Sequence, residues 1–298
     1  MPHHSEHMPL FDTVCIVGVG LIGGSFGIAL REKQLARQVV GAVRRQETIN
    51  AAFQKGAVDN ATTDLAQAVR DADLLLLAPP VGQMKALCEE IAPLLKEGAI
   101  VTDAGSTKAD IVAECAPIFG EKAHFIGGHP MAGSERTGVE NAQGNLFENA
   151  TWILTPDATT PFTVITRMQQ LVEGIGAKPL VLDPQTHDQL LAVSSHVPHI
   201  TAAALVHLFD QTREQHSVVE QLIAGGWRDS TRVAAGSPEM WRDICLANAM
   251  PIGESLDDLI AELQKLRGLL SECKADEIGE WFEAAAQTRK KHGYFPRS

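Results

Sequence analysis

Cysteine is scarce and scattered: Cys15, Cys88, Cys115, Cys245 and Cys273 are an odd five among 298 residues, with no CxxC pair. That excludes a disulfide framework and the usual spacing of a zinc site, and it fits a reducing compartment. Long apolar runs are missing too. A spanning helix needs ~20 consecutive apolar residues, whereas the best candidate here, Asp73 to Pro80, has the length of a buried strand. The N-terminus, Met1 to Leu10, carries His3, His4 and His7 but lacks the basic start and apolar core of a signal peptide. It reads as a mobile tail, and three histidines at a chain end do not define a metal site. Basic charge is in deficit, with 25 Lys and Arg against 37 Asp and Glu and a formal net charge of −12. That balance argues against a nucleic-acid-binding face, although a few arginines can still line a positive pocket for a small anion. The expectation is a cytoplasmic protein with no nucleic acid and no membrane as partner.

What the chain does have is order. Its length suggests one large or two medium domains. In the first half, short apolar runs alternate with helical patterns, the signature of a mostly parallel sheet with helices on both faces. Strands are expected at Val14 to Val17, Val39 to Val43, Leu74 to Ala78, Ile100 to Asp103, Phe125 to Gly127, Trp152 to Leu154 and Leu180 to Leu182. Helices are expected at Ile22 to Lys33, Ile49 to Lys55 and Phe162 to Ile175. After about Asp183 the strand signals stop and helical spacing takes over, as in the row Leu256, Leu259, Ile260, Leu263, Leu266 and Leu270. The reading is a tail at 1–10, an α/β domain at 11–183 and an all-helical domain at 184–298.

Gly18-Val19-Gly20-Leu21-Ile22-Gly23 follows the first strand and opens the first helix. In that context the first glycine permits the tight turn, the second lets backbone approach a pyrophosphate, and the third lets helix and strand pack closely. The helix start adds unpaired N–H groups and the positive end of its dipole. A glycine-rich turn is the plain alternative, but the strand–turn–helix setting favours dinucleotide binding. About 20 residues after such a fingerprint an NAD enzyme usually places an acid to accept from the ribose hydroxyls. This chain has Arg44 and Arg45 there. A guanidinium pairs with a 2′-phosphate and offers no acceptor to a hydroxyl, so NADP is favoured over NAD. Two solvated surface arginines are the alternative.

Three later segments are polar where packing does not ask for it: Asp103-Ala104-Gly105-Ser106-Thr107-Lys108, Gly127-Gly128-His129-Pro130-Met131-Ala132-Gly133, and Ser194-Ser195-His196-Val197-Pro198-His199. Each alone reads as a turn or a satisfied histidine. The second is expected to be a glycine-flanked loop, and Pro198 is expected to break or restart a helix beside His196. Taken in order with the fingerprint and with Trp227-Arg228-Asp229-Ser230-Thr231-Arg232, the series resembles the prephenate/arogenate dehydrogenase family over about Thr13 to Ala285. The resemblance implies a Rossmann-type domain joined to a helical dimerisation domain in a homodimer. The implied reaction is oxidative decarboxylation of prephenate or arogenate with hydride transfer to NADP or NAD.

By that resemblance His129 accepts the proton of the ring hydroxyl and Ser106 orients it. Arg232 clamps the ring carboxylate, and His196 stands near substrate and nicotinamide. A neutral imidazole is a natural proton acceptor here, and its acid limb is expected near the ordinary value of about 6.5 unless the site shifts it. Ser134 and Glu135 are candidates for contact with the substrate side chain, Glu135 being equally a surface carboxylate. Trp241 is a candidate for the pocket edge or subunit interface, with a buried core role as the alternative. Arg228 adds positive potential or forms a salt bridge, and His187 and His199 read as structural. The competing functions are a β-hydroxyacid dehydrogenase, whose helical-half lysine motif is missing, and a non-catalytic NADP-binding sensor. The sensor gives no reason for Ser106, His129, His196 and Arg232 together.

Overall fold

A computed structural model describes residues 8–134 and 136–292. His3, His4, His7 and Glu135 lie outside the described residues. The strands are β1 (Phe11–Val17), β2 (Ala36–Ala42), β3 (Asn60–Thr62), β4 (Leu74–Leu77), β5 (Ala99–Asp103), β6 (Ala123–Pro130), β7 (Thr151–Thr155) and β8 (Lys178–Val181). Between them run α1 (Leu21–Glu32), α2 (Gln46–Gln54), α3 (Leu65–Val69), α4 (Met84–Ile91), α5 (Ala109–Phe119) and α6 (Phe162–Gly174). The sheet order is β3-β2-β1-β4-β5-β6-β7-β8. Every neighbouring pair is parallel except β6 and β7, which run antiparallel.

Residue type explains the layering. β4 is four buried leucines, as a strand covered on both faces requires. Along β1 the period of two sends Val14 and Ile16 into a core with Phe26, Leu30, Ile49 and Met168. Cys15 and Val17 go to the opposite core with Met84, Cys88, Ile91 and Val112. Burial pushes the Cys15 thiol up to about 12, so it serves as a packing group. These two cores are the expected helical layers on either face of the sheet. β3 is an addition to the expected strands, since three residues carry no readable period. β6 extends further than expected, to Pro130, so His129 sits within a strand and not on a loop. The backbone there is squeezed: a Cβ on Gly128 would stand 2.4 Å from the Asp103 carbonyl oxygen. Only glycine lets β6 lie this close to the end of β5.

From Pro184 on, every element among the described residues is helical: α7 (Pro184–Leu191), α8 (Val197–Gln215), α9 (Gly225–Thr231), α10 (Pro238–Ala247), α11 (Ala249–Ser271) and α12 (Ala275–His292). Asp183 caps α7 by accepting from the Gln185 and Thr186 amides, with Pro184 in its first turn. The expected break at Pro198 takes another form. Val197 keeps helical angles, and the chain widens into a π turn over Ala192–His196 that joins α7 to α8. Pro198 then occupies the start of α8, where a missing N–H costs nothing. The stretch Pro184–Gln215 has the length and composition of a membrane span. It nonetheless carries Asp188, bonded to the backbone of α5, and a charged end at Asp210 and Arg213. Residues up to Ala249 form one compact unit and residues from Met250 a second. Within the second, Cys273 turns the chain at φ 53° between α11 and α12, and the Trp281 Nε1 donates to Glu262 at 3.1 Å.

One buried charge pair ties the sheet to the start of α5. Lys108 donates to the Asp103 carboxylate with both side chains fully buried. The same carboxylate accepts from the Gly105 amide at 2.7 Å and the Gly128 amide at 3.0 Å. Breaking a buried pair leaves an uncompensated charge, at a cost of about 3–5 kcal/mol. Asp103→Ala is therefore expected to lower unfolding free energy in urea by that amount. A loss under about 1 kcal/mol, the scale of an exposed pair, would show that the pair is not dry.

Candidate active site

The fingerprint glycines occupy three different environments. Gly18 has φ 96°, and a Cβ there would meet the Ala78 carbonyl oxygen at 2.9 Å, at the end of β4. β1 and β4 are the neighbours at which strand order reverses, the usual ligand crevice of an open sheet. A Cβ on Gly20 would have nothing within 4 Å, and this residue caps α1 without a side-chain bond. A Cβ on Gly23 would stand 2.2 Å from the Gly18 carbonyl oxygen and 2.8 Å from Ile16. Leu21 and Ile22 complete the first turn of α1, whose N–H groups are the ones an incoming phosphate would find.

A cavity of about 1110 Å³ runs from Gly18 and Gly20 to Arg44 and Arg45, just past the end of β2. Both arginines are exposed, and Arg45 is the cap residue of α2. Glu47 and Glu140 share the lining, so the positive charge is local to the arginines. The open turn, the uncapped helix start and the cavity fit a dinucleotide.

His129 projects from β6 beside β7, where its backbone pairs with Ile153. It is 9% exposed, and its Nδ1 lies 2.8 Å from His187 Nε2. Burial first, then the neighbouring His187, Lys108 and His196, holds its pKa well below the ordinary histidine value. His187 Nδ1 in turn meets Asp188 Oδ1 at 2.7 Å. Asp188 accepts from the backbone amides of Lys108 and Ala109 at 2.8 Å each, capping α5 from a distant segment.

His196 closes the π turn, and burial pushes its pKa down to about 4. Asn248 Nδ2 donates to the Asp188 carbonyl oxygen at 2.9 Å and lies 3.0 Å from His196 Nδ1. A carbonyl only accepts, so the amide nitrogen faces both groups and His196 Nδ1 is the acceptor. The neutral ring then carries its proton on Nε2, a buried atom with no partner among the described residues. Such a donor is expected to be satisfied by a bound molecule.

The remaining candidates are spread over the surrounding surface. Ser106 is half-buried in the turn between β5 and α5, and no hydrogen bond joins it to His129 among the described residues. Ser134 is exposed, its Oγ accepting from the Arg136 amide at 3.1 Å. Arg232 and Arg228 are exposed, Arg232 opening the 3₁₀ turn Arg232–Ala235. That turn leads to Gly236, where a Cβ would meet Trp241 at 2.8 Å and His199 at 3.0 Å. Trp241 stacks on His199 with ring centroids 3.5 Å apart and stands edge-on to His196 at 6.1 Å. His187, read from sequence as structural, lies against the candidate base. A signal for it exists in the sequence: Pro184, His187, Asp188 and Leu191 are the buried face of α7, and two of those four are polar.

Comparison with known proteins adds the family. Residues 26–181 match the prephenate dehydrogenase nucleotide-binding domain, and residues 183–284 match the prephenate dehydrogenase dimerization domain. The chain is 36% identical to a prephenate dehydrogenase of Bacillus subtilis over 93% of its own length and 75% of that protein. It is 34% identical to a cyclohexadienyl dehydrogenase of Zymomonas mobilis, covering 95% of this chain and 96% of the relative. Prephenate dehydrogenase from A. aeolicus, solved with hydroxyphenyl propionate and NAD+, superimposes with a TM-score of 0.86 at 32% identity. That match covers 94% of this chain and 98% of the other.

The glycine environments separate binding from folding. Gly20→Ala meets no protein atom, so it is expected to leave stability intact while weakening dinucleotide binding roughly tenfold, about 1.4 kcal/mol. Gly23→Ala forces backbone apart and is expected to cost about 1–3 kcal/mol of stability. Fluorescence titration and thermal unfolding read the two effects, and a Gly20→Ala protein with unaltered affinity would remove Gly20 from the binding turn.

Proposed function

The chain belongs to the prephenate dehydrogenase family, and from that premise we propose that it oxidatively decarboxylates prephenate, arogenate or both in tyrosine biosynthesis. The observation that carries the reading is a buried histidine, His129, at the end of a sheet strand, its pKa held well below the ordinary histidine value and its Nδ1 2.8 Å from the Nε2 of His187. The substrate class is supported by the A. aeolicus relative, which was solved with hydroxyphenyl propionate and NAD+. Both substrates carry a ring hydroxyl opposite a ring carboxylate and differ in a keto or amino side chain.

His129 accepts the hydroxyl proton, which drives hydride off the same carbon, and the ring carboxylate leaves as carbon dioxide as the ring becomes aromatic. A bound nicotinamide dinucleotide supplies the hydride acceptor. The first turn of α1, with Gly18, Gly20 and Gly23, holds its phosphates, and Ser106 and the Nε2–H of His196 donate to the bound molecules. Arg232 pairs with the ring carboxylate, and Ser134 and Trp241 stand at the substrate's edge. NADP is the preferred cofactor because Arg44 and Arg45 share the cavity with Gly20, and a guanidinium suits a 2′-phosphate. NAD is the second choice.

Residues 11–183 act as the dinucleotide-binding domain and 184–298 as the substrate and dimerisation domain, a division by function, since the compact units part after Ala249. Assembly as a homodimer is supported by Leu205, Leu208, Leu222 and Leu246 in one unit and Ile260, Leu263, Leu270 and Phe282 in the other, all exposed in the single chain. The protein works in the cytoplasm.

Initial rates with prephenate and arogenate, each with NADP and NAD, test the function. NADP is expected to give the higher kcat/KM, and Arg44→Asp with Arg45→Ala is expected to weaken NADP far more than NAD. A wild-type preference for NAD overturns the cofactor assignment.

The pH profile tests the base. A base acts when deprotonated, and a pKa held well below 6.5 keeps His129 ready throughout the neutral range. The acid limb is therefore expected well below pH 6.5, because burial shifts His129 away from the ordinary histidine value. His129→Asn is expected to lower kcat roughly 10²–10⁴-fold and to erase that limb, with dinucleotide affinity unchanged. If the limb survives in the variant, the base is elsewhere and His196 is next in line.

A further inference from the structure

His129, His187 and Asp188 form a continuous buried row, with contacts of 2.8 Å and 2.7 Å and exposures of 9%, 0% and 2%. We propose that His187 and Asp188 are positioning residues of the reaction. They set the proton on His129 so that its Nε2 lone pair is the free base, and they draw off the positive charge when the substrate proton arrives. The proposal rests on reading His129 as the base.

The proton positions follow from one end of the row. Asp188 accepts two backbone N–H bonds from the first turn of α5, where amide donors and the helix dipole both favour a carboxylate. An ionised carboxylate only accepts, so His187 Nδ1 donates to it. We take His187 as singly protonated at rest: its Nε2 is then the acceptor at the 2.8 Å contact, and His129 Nδ1 donates to it. His129 Nε2 is then left with a lone pair. One acceptor at Asp188 therefore determines the tautomers of two rings in succession.

The surrounding charges leave that row an anion to use. The charged and titratable groups that act on His129 are Lys108 from the β5–α5 turn, His187 from α7 and His196 from the π turn; Asp103 at the end of β5 pairs with Lys108, and Asp188 with His187. Lys108 is already neutralised by Asp103. Asp188 is the carboxylate that remains for an imidazolium, and it touches His187 directly.

The proton account closes without solvent. The substrate O–H bond breaks as His129 Nε2–H forms. His129 Nδ1–H then breaks as His187 Nε2–H forms, which puts the cation against Asp188. The C–H electron pair leaves as hydride to the oxidised nicotinamide. The carbon–carboxylate bond breaks, carbon dioxide departs, and its bonding pair completes the aromatic ring. The oxygen then needs a proton: His129 Nε2–H breaks as the phenol O–H forms, and His187 Nε2 returns its proton to His129 Nδ1. The reaction neither gains nor loses a proton overall, which suits a relay buried away from water.

His187→Gln tests this with the α5 cap intact: its amide oxygen still accepts from His129 Nδ1, but it cannot carry the charge. The expected result is a kcat about 10- to 100-fold lower with KM and dinucleotide affinity within about twofold. The dependence of kcat on deuterium fraction is expected to change from curved, for two moving protons, to linear. Asp188→Asn is expected to do worse, roughly 10²–10⁴-fold, because its amide reverses the tautomers. Circular dichroism reports whether it folds. Histidine ¹⁵N spectra of the free wild-type protein are expected to place protons on Nδ1 of both His129 and His187. A His129 protonated on Nε2, or an active His187→Gln with the wild-type rate and a curved deuterium dependence, overturns the relay alone. A wild-type protein inert toward both substrates overturns the functional reading and the charge step with it.

Discussion

Much of the site depends on where the Asp188 carboxylate finds its partners. It lies on the buried face of α7, where an apolar side chain would ordinarily sit, and a buried charge must be paired or heavily hydrogen-bonded. Its two oxygens satisfy amides of Lys108 and Ala109, 80 and 79 residues away, and the ring of His187 beside it. Its own carbonyl oxygen receives Asn248. One residue thereby joins the start of α5, the helix that follows the sheet, and the residue that sets His196. Displacing it would release both histidines at once.

A second buried carboxylate mirrors the first from the sheet side. Asp103 holds Lys108, the Gly105 amide and the Gly128 amide, so the strand that carries His129 is bonded at the residue before it. Buried ion pairs contribute little net stability compared with apolar packing, and their cost is best accounted for by specificity of placement. The two acids hold what flanks the His129 imidazole: Asp103 the amide of the preceding residue, and Asp188 the His187 ring that meets its Nδ1. Low exposure keeps that imidazole neutral, and neutrality is what a proton acceptor needs. The dinucleotide turn is built differently, from backbone alone: a left-handed Gly18, an open Gly20 and a close-packed Gly23.

The features legible in the sequence are those written in neighbouring residues. The fingerprint is six consecutive residues, and β4 is an apolar run that no surface strand would show. Counting from the glycines places Arg44 and Arg45, and they line the same cavity. His129 is visible as a residue but not as part of a strand: Gly127 and Gly128 look like turn residues, whereas they are glycines because β5 and β7 press against β6. Pro198 signals an irregular helix, but a π turn and a broken helix carry the same local signature. Asp188 is the largest omission, and His187 reads from sequence only as a structural histidine. Their meaning lies in partners 58 and 80 residues distant, and no local pattern distinguishes a relay from a capped, satisfied core histidine.

In the proposed mechanism, hydride removal and loss of the ring carboxylate are parts of one event that begins with proton transfer to His129. The most direct measurement supplies prephenate and arogenate labelled with ¹³C in the ring carboxylate and compares labelled carbon dioxide with reduced dinucleotide in the same reaction. Equal amounts are expected throughout the time course for whichever substrate is used. Reduced dinucleotide formed without labelled carbon dioxide would contradict this coupling, because the enzyme would then be oxidising an alcohol without making the ring aromatic.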